Sequence, residues 1–152
     1  MYKHILIGTD GSDMGSRALA HDLALAKSVG ARVTVVTATE PWSALDMAFE
    51  ARRHDPNPLK HFAEIAATAA QRVLDDATAK AKEAGVSCAT VHIADRYAGV
   101  AIVDTADKIG CDLIVMGSHG RRGIDRVLLG SQAYEVVSHT KIPTLIDRKS
   151  VV

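Results

Sequence analysis

The chain has 152 residues, 47% apolar and 24% charged, which suits one folded domain with its own core and excludes a disordered chain. Eighteen Lys and Arg balance eighteen Asp and Glu, so no net field draws the protein to nucleic acid or an anionic membrane. No apolar stretch approaches the ~20 residues of a membrane-spanning helix.

Residues 1–4 lead straight into Ile5-Leu6-Ile7 and then polar Thr9-Asp10, without the apolar core and cleavage site of a secretory signal, so a cytoplasmic location is expected. Ile5-Leu6-Ile7 reads as a strand, stopped by the turn and cap residues Thr9-Asp10-Gly11-Ser12-Asp13. A helix follows, with Ala18, Leu19, Leu23 and Ala26 at helical spacing and Gly30 as its C-terminal cap. The β-branched run 32–37 reads as a second strand covered on both faces.

The segment 39–58 breaks the rhythm with Pro41, Pro56, Pro58 and Trp42, and reads as a long connector holding one helical turn near 44–49. Residues 59–84 carry Phe62, Ala66, Ala69, Val73, Ala77, Ala81 and Ala84 at helical spacing, ending at Gly85. Further strands are expected at 87–93, 112–116 and 144–146, separated by helices near 99–109 and 131–139. Cys88 and Cys111 sit near strand starts, outside metal or redox spacing, and read as small inert core residues of a reducing compartment.

This βαβαβαβαβ alternation predicts an α/β fold: a single three-layer α/β/α domain over 1–152, with a tail at 148–152. Its core is a five-stranded, mostly parallel, doubly wound, Rossmann-like sheet. Ligands of such sheets bind beyond the carboxyl ends of the strands, which directs attention to the ends of strands one, two and four. After strand four comes Met116-Gly117-Ser118-His119-Gly120, then nine residues, then Gly130-Ser131 opening the last helix. Glycines admit close backbone approach, and a helix N-terminus offers amides to an anion, so this pattern reads as a phosphate cradle. The other reading is a surface loop with a serine N-cap. A Walker loop is excluded because no Gly-Lys-Ser or Gly-Lys-Thr closes the pattern.

The Thr-Asp-Gly-Ser after strand one (9–12), the run from Asp112 to Gly120, the nine-residue gap to Gly130-Ser131 and the closing Ile142-Pro143-Thr144-Leu145-Ile146 closely resemble the universal stress protein family. The resemblance runs from residue 3 to about 148. It implies an adenine nucleotide alpha hydrolase-like sheet with strand order 3-2-1-4-5. The Gly-two-Gly-nine-Gly-Ser spacing resembles the ATP-binding branch and implies ATP, with Mg2+ carried on the phosphates. Carried over by position, Asp10 is the acidic residue at the nucleotide, flanked by Gly8 and Thr9, and Ala38 offers a backbone contact to adenine. Met116 and Gly117 border ribose and base, Gly120, Arg121 and Arg122 the phosphates, and Gly130, Ser131 and Gln132 supply amides.

Arg121, Arg122 and Arg126 carry guanidiniums that suit a phosphate clamp, with a solvated loop paired to Asp125 as the second reading. Asp10 also reads as a helix cap, a role that Ser12 or Asp13 can take and so leave it free. His119 reads as a turn-shaping imidazole, with phosphate donation or base action as the other option. The remaining histidines lack HxH or HExxH spacing and suggest no metal site. Ser118 and Ser131 have no evident base-and-orienter set, so no catalytic residue is assigned. Trp42 and Phe49 suit a cover over the nucleotide mouth or a partner surface.

The sequence departs from the family at 94–98, which is longer and lacks proline, and at Asp147-Arg148, where valines usually follow the last strand. The resemblance further implies a homodimer paired through the C-terminal strand 142–147 and an unidentified regulatory partner. The resulting expectation is an ATP-dependent regulator of a stress response with at most slow hydrolysis or autophosphorylation. A small ATP-using adenylating or phosphoryl-transfer domain and a nucleotide-free dimeric scaffold remain open.

Overall fold

A computed structural model describes residues 1–119 and 129–148. In chain order the elements are β1 (His4–Gly8), α1 (Asp13–Val29), β2 (Arg32–Ala38), α2 (Ala44–Ala51), α3 (Pro58–Ala84), β3 (Cys88–Ile93), α4 (Ala98–Ile109), β4 (Leu113–Gly117), α5 (Ser131–His139) and β5 (Thr144–Asp147). The five strands form one sheet in the order β3-β2-β1-β4-β5, and every pairing is parallel. The expected order 3-2-1-4-5 is therefore the observed one.

Strand alternation sorts the apolar residues into two layers. Ile5, Ile7, Val33, Val35, Leu113 and Val115 pack with Leu19, Leu23 and Ala26 of α1 and Leu74, Ala77 and Ala81 of α3. On the opposite face Leu6, Val36, Ile114 and Met116 pack with Ile102 and Ala106 of α4 and Ala133 and Val136 of α5. Covered on both sides, β1 and β4 read as nearly unbroken apolar runs rather than alternating ones.

The ends of the long helices follow local chemistry. Ser12 caps α1, its hydroxyl accepting from the Gly15 amide at 3.0 Å, and Gly30 closes the helix in the left-handed conformation at φ 68°. The connector after β2 holds more helix than the single turn expected, because Ser43 and Asp46 form a reciprocal capping box at the start of α2. Replacing Ser43 by alanine is expected to cost about 1 kcal/mol locally. Faster amide exchange across 44–51, with the sheet unchanged, is the readout.

Of the expected stripe of α3, Ala77 and Ala81 are buried, Phe62, Ala66, Val73 and Ala84 half-buried and Ala69 exposed, while Ala70 and Leu74 are buried in addition. In the first turns of α3 Phe62 stacks on Trp42 with ring centroids 5.3 Å apart. The loop 94–98, which lacks the family's proline, turns through Asp95 at φ 57°, a conformation that aspartate tolerates better than most residues. It is tied down by Arg96, whose amide donates to the Thr39 carbonyl and whose guanidinium pairs with Asp104 at 2.8 Å.

One buried polar pair beneath β1 gives the fold a pH dependence. His4 is 8% exposed, its Nε2 lies 2.8 Å from Thr34 Oγ1, and its Nδ1 lies 3.2 Å from the Arg32 guanidinium. Burial, then Arg32, lower its pKa against the opposing pull of Asp112. A histidine depressed in the folded state contributes stability that is present above its unfolded pKa of 6.5 and is lost as the pH falls towards the folded value. Asp22, whose carboxyl burial pushes up to about 6, acts in the opposite sense over the same range, so the readout is a difference: on acidification from pH 7.5 to 5.5 the urea midpoint of His4→Gln should rise relative to that of the unaltered protein.

Candidate functional site

The carboxyl ends of β1, β2 and β4 meet at one edge of the sheet. Gly8 stands in register with Val36 on one side and Met116 on the other, so residues 8–10, Ala38 and residues 116–119 converge there. Gly8 has a structural reason: a Cβ at this position would lie 2.6 Å from Cδ1 of Ile102 on α4.

After Gly8, the Thr9 amide donates to the Val36 carbonyl at 3.0 Å. Asp10 folds the chain back by accepting the Ser12 amide on Oδ1 at 2.9 Å, the Asx turn that short acidic side chains favour. Ser12 takes the helix-cap role, but this does not leave Asp10 free as expected, since its carboxylate shapes the turn into α1. Ala38 is the last residue of β2, half-buried, and the following Thr39 hydroxyl meets His92 Nε2 at 2.8 Å. The Thr39–His92 pair went unnoticed in the sequence, because no local pattern links two neighbouring strand ends.

On the other side, β4 delivers buried Met116 and then Gly117 to the edge. The Ser118 amide donates to the Asp147 carbonyl at 2.8 Å, and the Ser118 carbonyl accepts the Gly130 amide at 2.7 Å. The start of α5 is thereby fixed directly against the end of β4, although ten residues separate Gly130 from His119 in the chain. Gly130, rather than a serine, is the N-cap, in extended conformation and without a side-chain cap. A Cβ on Gly130 would lie 2.7 Å from the Ser118 carbonyl oxygen, so this close approach requires glycine.

Ser131 and Gln132 occupy the first turn of α5. The Gln132 side chain is already committed: its Oε1 accepts the Gly99 amide at 2.8 Å and so joins the N-termini of α4 and α5. That leaves its backbone amide as the group directed along the helix axis. His119 Nδ1 lies 3.0 Å from Ser118 Oγ, while its Nε2 is buried and has no hydrogen-bond partner. A hydroxyl and a base are thus adjacent, but among the described residues no carboxylate orients the imidazole as a triad would require. Gly120, Arg121, Arg122, Asp125 and Arg126 lie outside the described residues.

Trp42 is engaged with Phe62 on α3, and Phe49 is 60% exposed on α2. His61 pairs with Asp55 at the connector's end. Cys111 is buried and Cys88 half-buried, and burial pushes both thiols up, away from the reactive thiolate form.

This arrangement, a parallel sheet whose edge joins a strand-end glycine to a helix N-terminus, can be placed among known proteins. A model of the universal stress protein family matches residues 1–148. The chain belongs to that family. A universal stress protein of Methanocaldococcus jannaschii is 31% identical over 149 residues, covering 98% of this chain and 84% of the relative. Among solved structures, a universal stress protein family member from Burkholderia pseudomallei is 28% identical, with a TM-score of 0.73 and 96% of each chain covered. A universal stress protein solved in complex with cAMP is 26% identical, with a TM-score of 0.66 and 97% of each chain covered. Among the described residues, no helix of this universal stress protein is long and apolar enough to cross a membrane.

Proposed function

We propose that this universal stress protein binds an adenine nucleotide, in the first place ATP, at the carboxyl edge of its sheet and acts as a nucleotide-dependent regulator in the cytoplasm. The observation that carries the reading is the start of α5. It is a helix N-terminus without a side-chain cap, held against β4 by the Gly130–Ser118 hydrogen bond at 2.7 Å, at a point where any Cβ would collide. Backbone amides at such a terminus, with the positive end of the helix dipole behind them, suit phosphate oxygens. The buried, unpartnered Nε2 of His119 beside Gly130 adds a polar atom that a ligand oxygen would satisfy. The relative in complex with cAMP supports an adenine nucleotide as the ligand class.

In this reading Gly8, Thr9 and Asp10 wall one side, Ala38 meets the base through its backbone, and Met116 and Gly117 border the ribose. Gly120, Arg121 and Arg122, with the amides of Gly130, Ser131 and Gln132, take the phosphates. Asp10 already spends Oδ1 on its turn, which favours Mg2+ carried on phosphate oxygens. Since no carboxylate among the described residues orients His119 as a base, turnover is slow or absent, and ATP acts as a signal whose differential affinity for two states shifts a partner-binding surface.

The protein is read as one domain over 1–152, with a connector at 39–58 and a tail at 148–152. Strand β5 lies at the sheet edge with Leu145 39% exposed, which favours pairing of residues 142–147 with a second copy. The test is to denature freshly purified protein, identify released nucleotide by chromatography, and titrate Mg-ATP into the stripped protein by calorimetry. Stoichiometric adenine nucleotide or saturable binding is expected. No release and no heat with any adenine nucleotide would overturn the reading and leave the scaffold function.

A further inference from the structure

The stripe of α1 that faces the core contains one charged residue. Asp22 lies between Leu19, Leu23 and Ala26, and its side chain is 3% exposed. A carboxylate placed there needs partners to offset the loss of water. Its Oδ1 is buried and has no hydrogen bond, and Nδ1 of His21 stands 3.5 Å from it on an exposed ring. The third group is Asp147, the last residue of β5. One ligand atom from each of His21, Asp22 and Asp147 can be chosen so that all lie within 4.8 Å of one another. Two carboxylates are thus brought together, one of them with a buried, unsatisfied oxygen, and an imidazole lies at the open side.

We propose that His21, Asp22 and Asp147 form a binding site for a divalent transition-metal cation. The charges match, since two carboxylates neutralise one dication and the imidazole coordinates as the neutral ring. The donor set of one nitrogen and two oxygens suits Zn2+ or Mn2+ better than Ca2+ or Mg2+, which take oxygen donors. Donor atoms about 2.1 Å from one ion lie roughly 3–4 Å from each other, so small side-chain rotations close the site. Three protein ligands leave coordination positions for water, and the exposed His21 gives an entry path.

No sequence motif marks the site, because its donors come from a helix and a strand 125 residues apart in the chain. Asp147 stands in register with Gly117 and its carbonyl accepts the Ser118 amide, so the cluster adjoins the end of β4, but its three donors are side chains that the nucleotide reading does not use.

The experiment uses full-length protein stripped of nucleotide and metal by chelator and desalted, titrated with Zn2+ and with Mn2+ at pH 7.5 by calorimetry, with Mn2+ binding also read by electron paramagnetic resonance. One equivalent of at least one cation is expected to bind, with a rise in the melting temperature. His21→Ala and Asp147→Asn, both at the surface side of the cluster, should each weaken that binding by at least ~10-fold while keeping the circular dichroism spectrum of the fold. Absence of binding up to millimolar cation, or binding that neither substitution alters, would overturn the proposal. In the first case the cluster holds no cation, and in the second the cation is held elsewhere on the protein. Mg-ATP calorimetry on the same variants separates this site from the nucleotide reading, since they should retain any nucleotide affinity of the unaltered protein.

Discussion

Replacing Gly117 by valine is expected to weaken Mg-ATP binding by about 30-fold or more, equivalent to ~2 kcal/mol, while moving the melting temperature by less than about 3 °C. The asymmetry follows from what surrounds this residue. Among the described residues a Cβ at Gly117 would meet only the His119 carbonyl oxygen, at 3.4 Å, and Gly117 has no positive φ that demands glycine. Valine also suits the strand that Gly117 ends. The protein therefore has little reason of its own to need glycine there, whereas a nucleotide lying across the end of β4 would lose that space to the new methyl groups. Gly130→Ala is a poorer probe, because its Cβ would lie 2.7 Å from the Ser118 carbonyl and loosen α5 itself. Calorimetry of Mg-ATP against both proteins, paired with thermal melts, decides the matter. Equal affinities in the Gly117→Val variant and the unaltered chain would remove β4 from the nucleotide site.

The residues that were legible in the sequence are those whose environment is set by their neighbours in the chain. The run 113–117 is apolar because both faces of β4 are covered, and Gly30 and Gly85 end helices at the left-handed positions that their spacing announced. The Gly117-to-Gly130 spacing likewise points to an edge where strand and helix meet, and the Ser118–Gly130 hydrogen bond shows that meeting. Features built from distant segments left weaker marks. Periodicity placed Ala69 rather than its neighbour Ala70 in the buried stripe of α3, because alanine occurs on several faces of that helix and only the sheet decides which is buried. Asp22 did carry a signal, a charge at a core position of α1, yet the partner that gives it meaning is at the far end of the chain. The contact of Gly99 with Gln132 left no mark at all, since a glycine in the first turn of a helix has many causes.

That last contact carries the second large effect. Gly99→Val is expected to destabilise the fold by about 3 kcal/mol, the scale of overpacking combined with a strained buried hydrogen bond. For a chain of this length it lowers the melting temperature by roughly 10 °C. Gly99 is buried in the first turn of α4, where a Cβ would lie 2.8 Å from Glu135 Cβ and 2.9 Å from the Gln132 carbonyl oxygen. The carbonyl belongs to the backbone of α5 and has no rotamer by which to retreat, so α5 must shift as a body. That movement lengthens the 2.8 Å bond from the Gly99 amide to Gln132 Oε1 and drags the helix whose N-terminus is fixed to Ser118. The consequence extends beyond stability: nucleotide affinity should fall as well, measured below the lowered melting temperature, although residue 99 is remote in sequence from the glycine pattern. Gln132→Ala provides the counterpart, removing the acceptor without the collision, and is expected to cost only about 1–2 kcal/mol. If Gly99→Val melted within 2 °C of the unaltered protein, the tight packing of α4 on α5 would be refuted, and with it the mechanical link between that seam and the phosphate-facing end of α5.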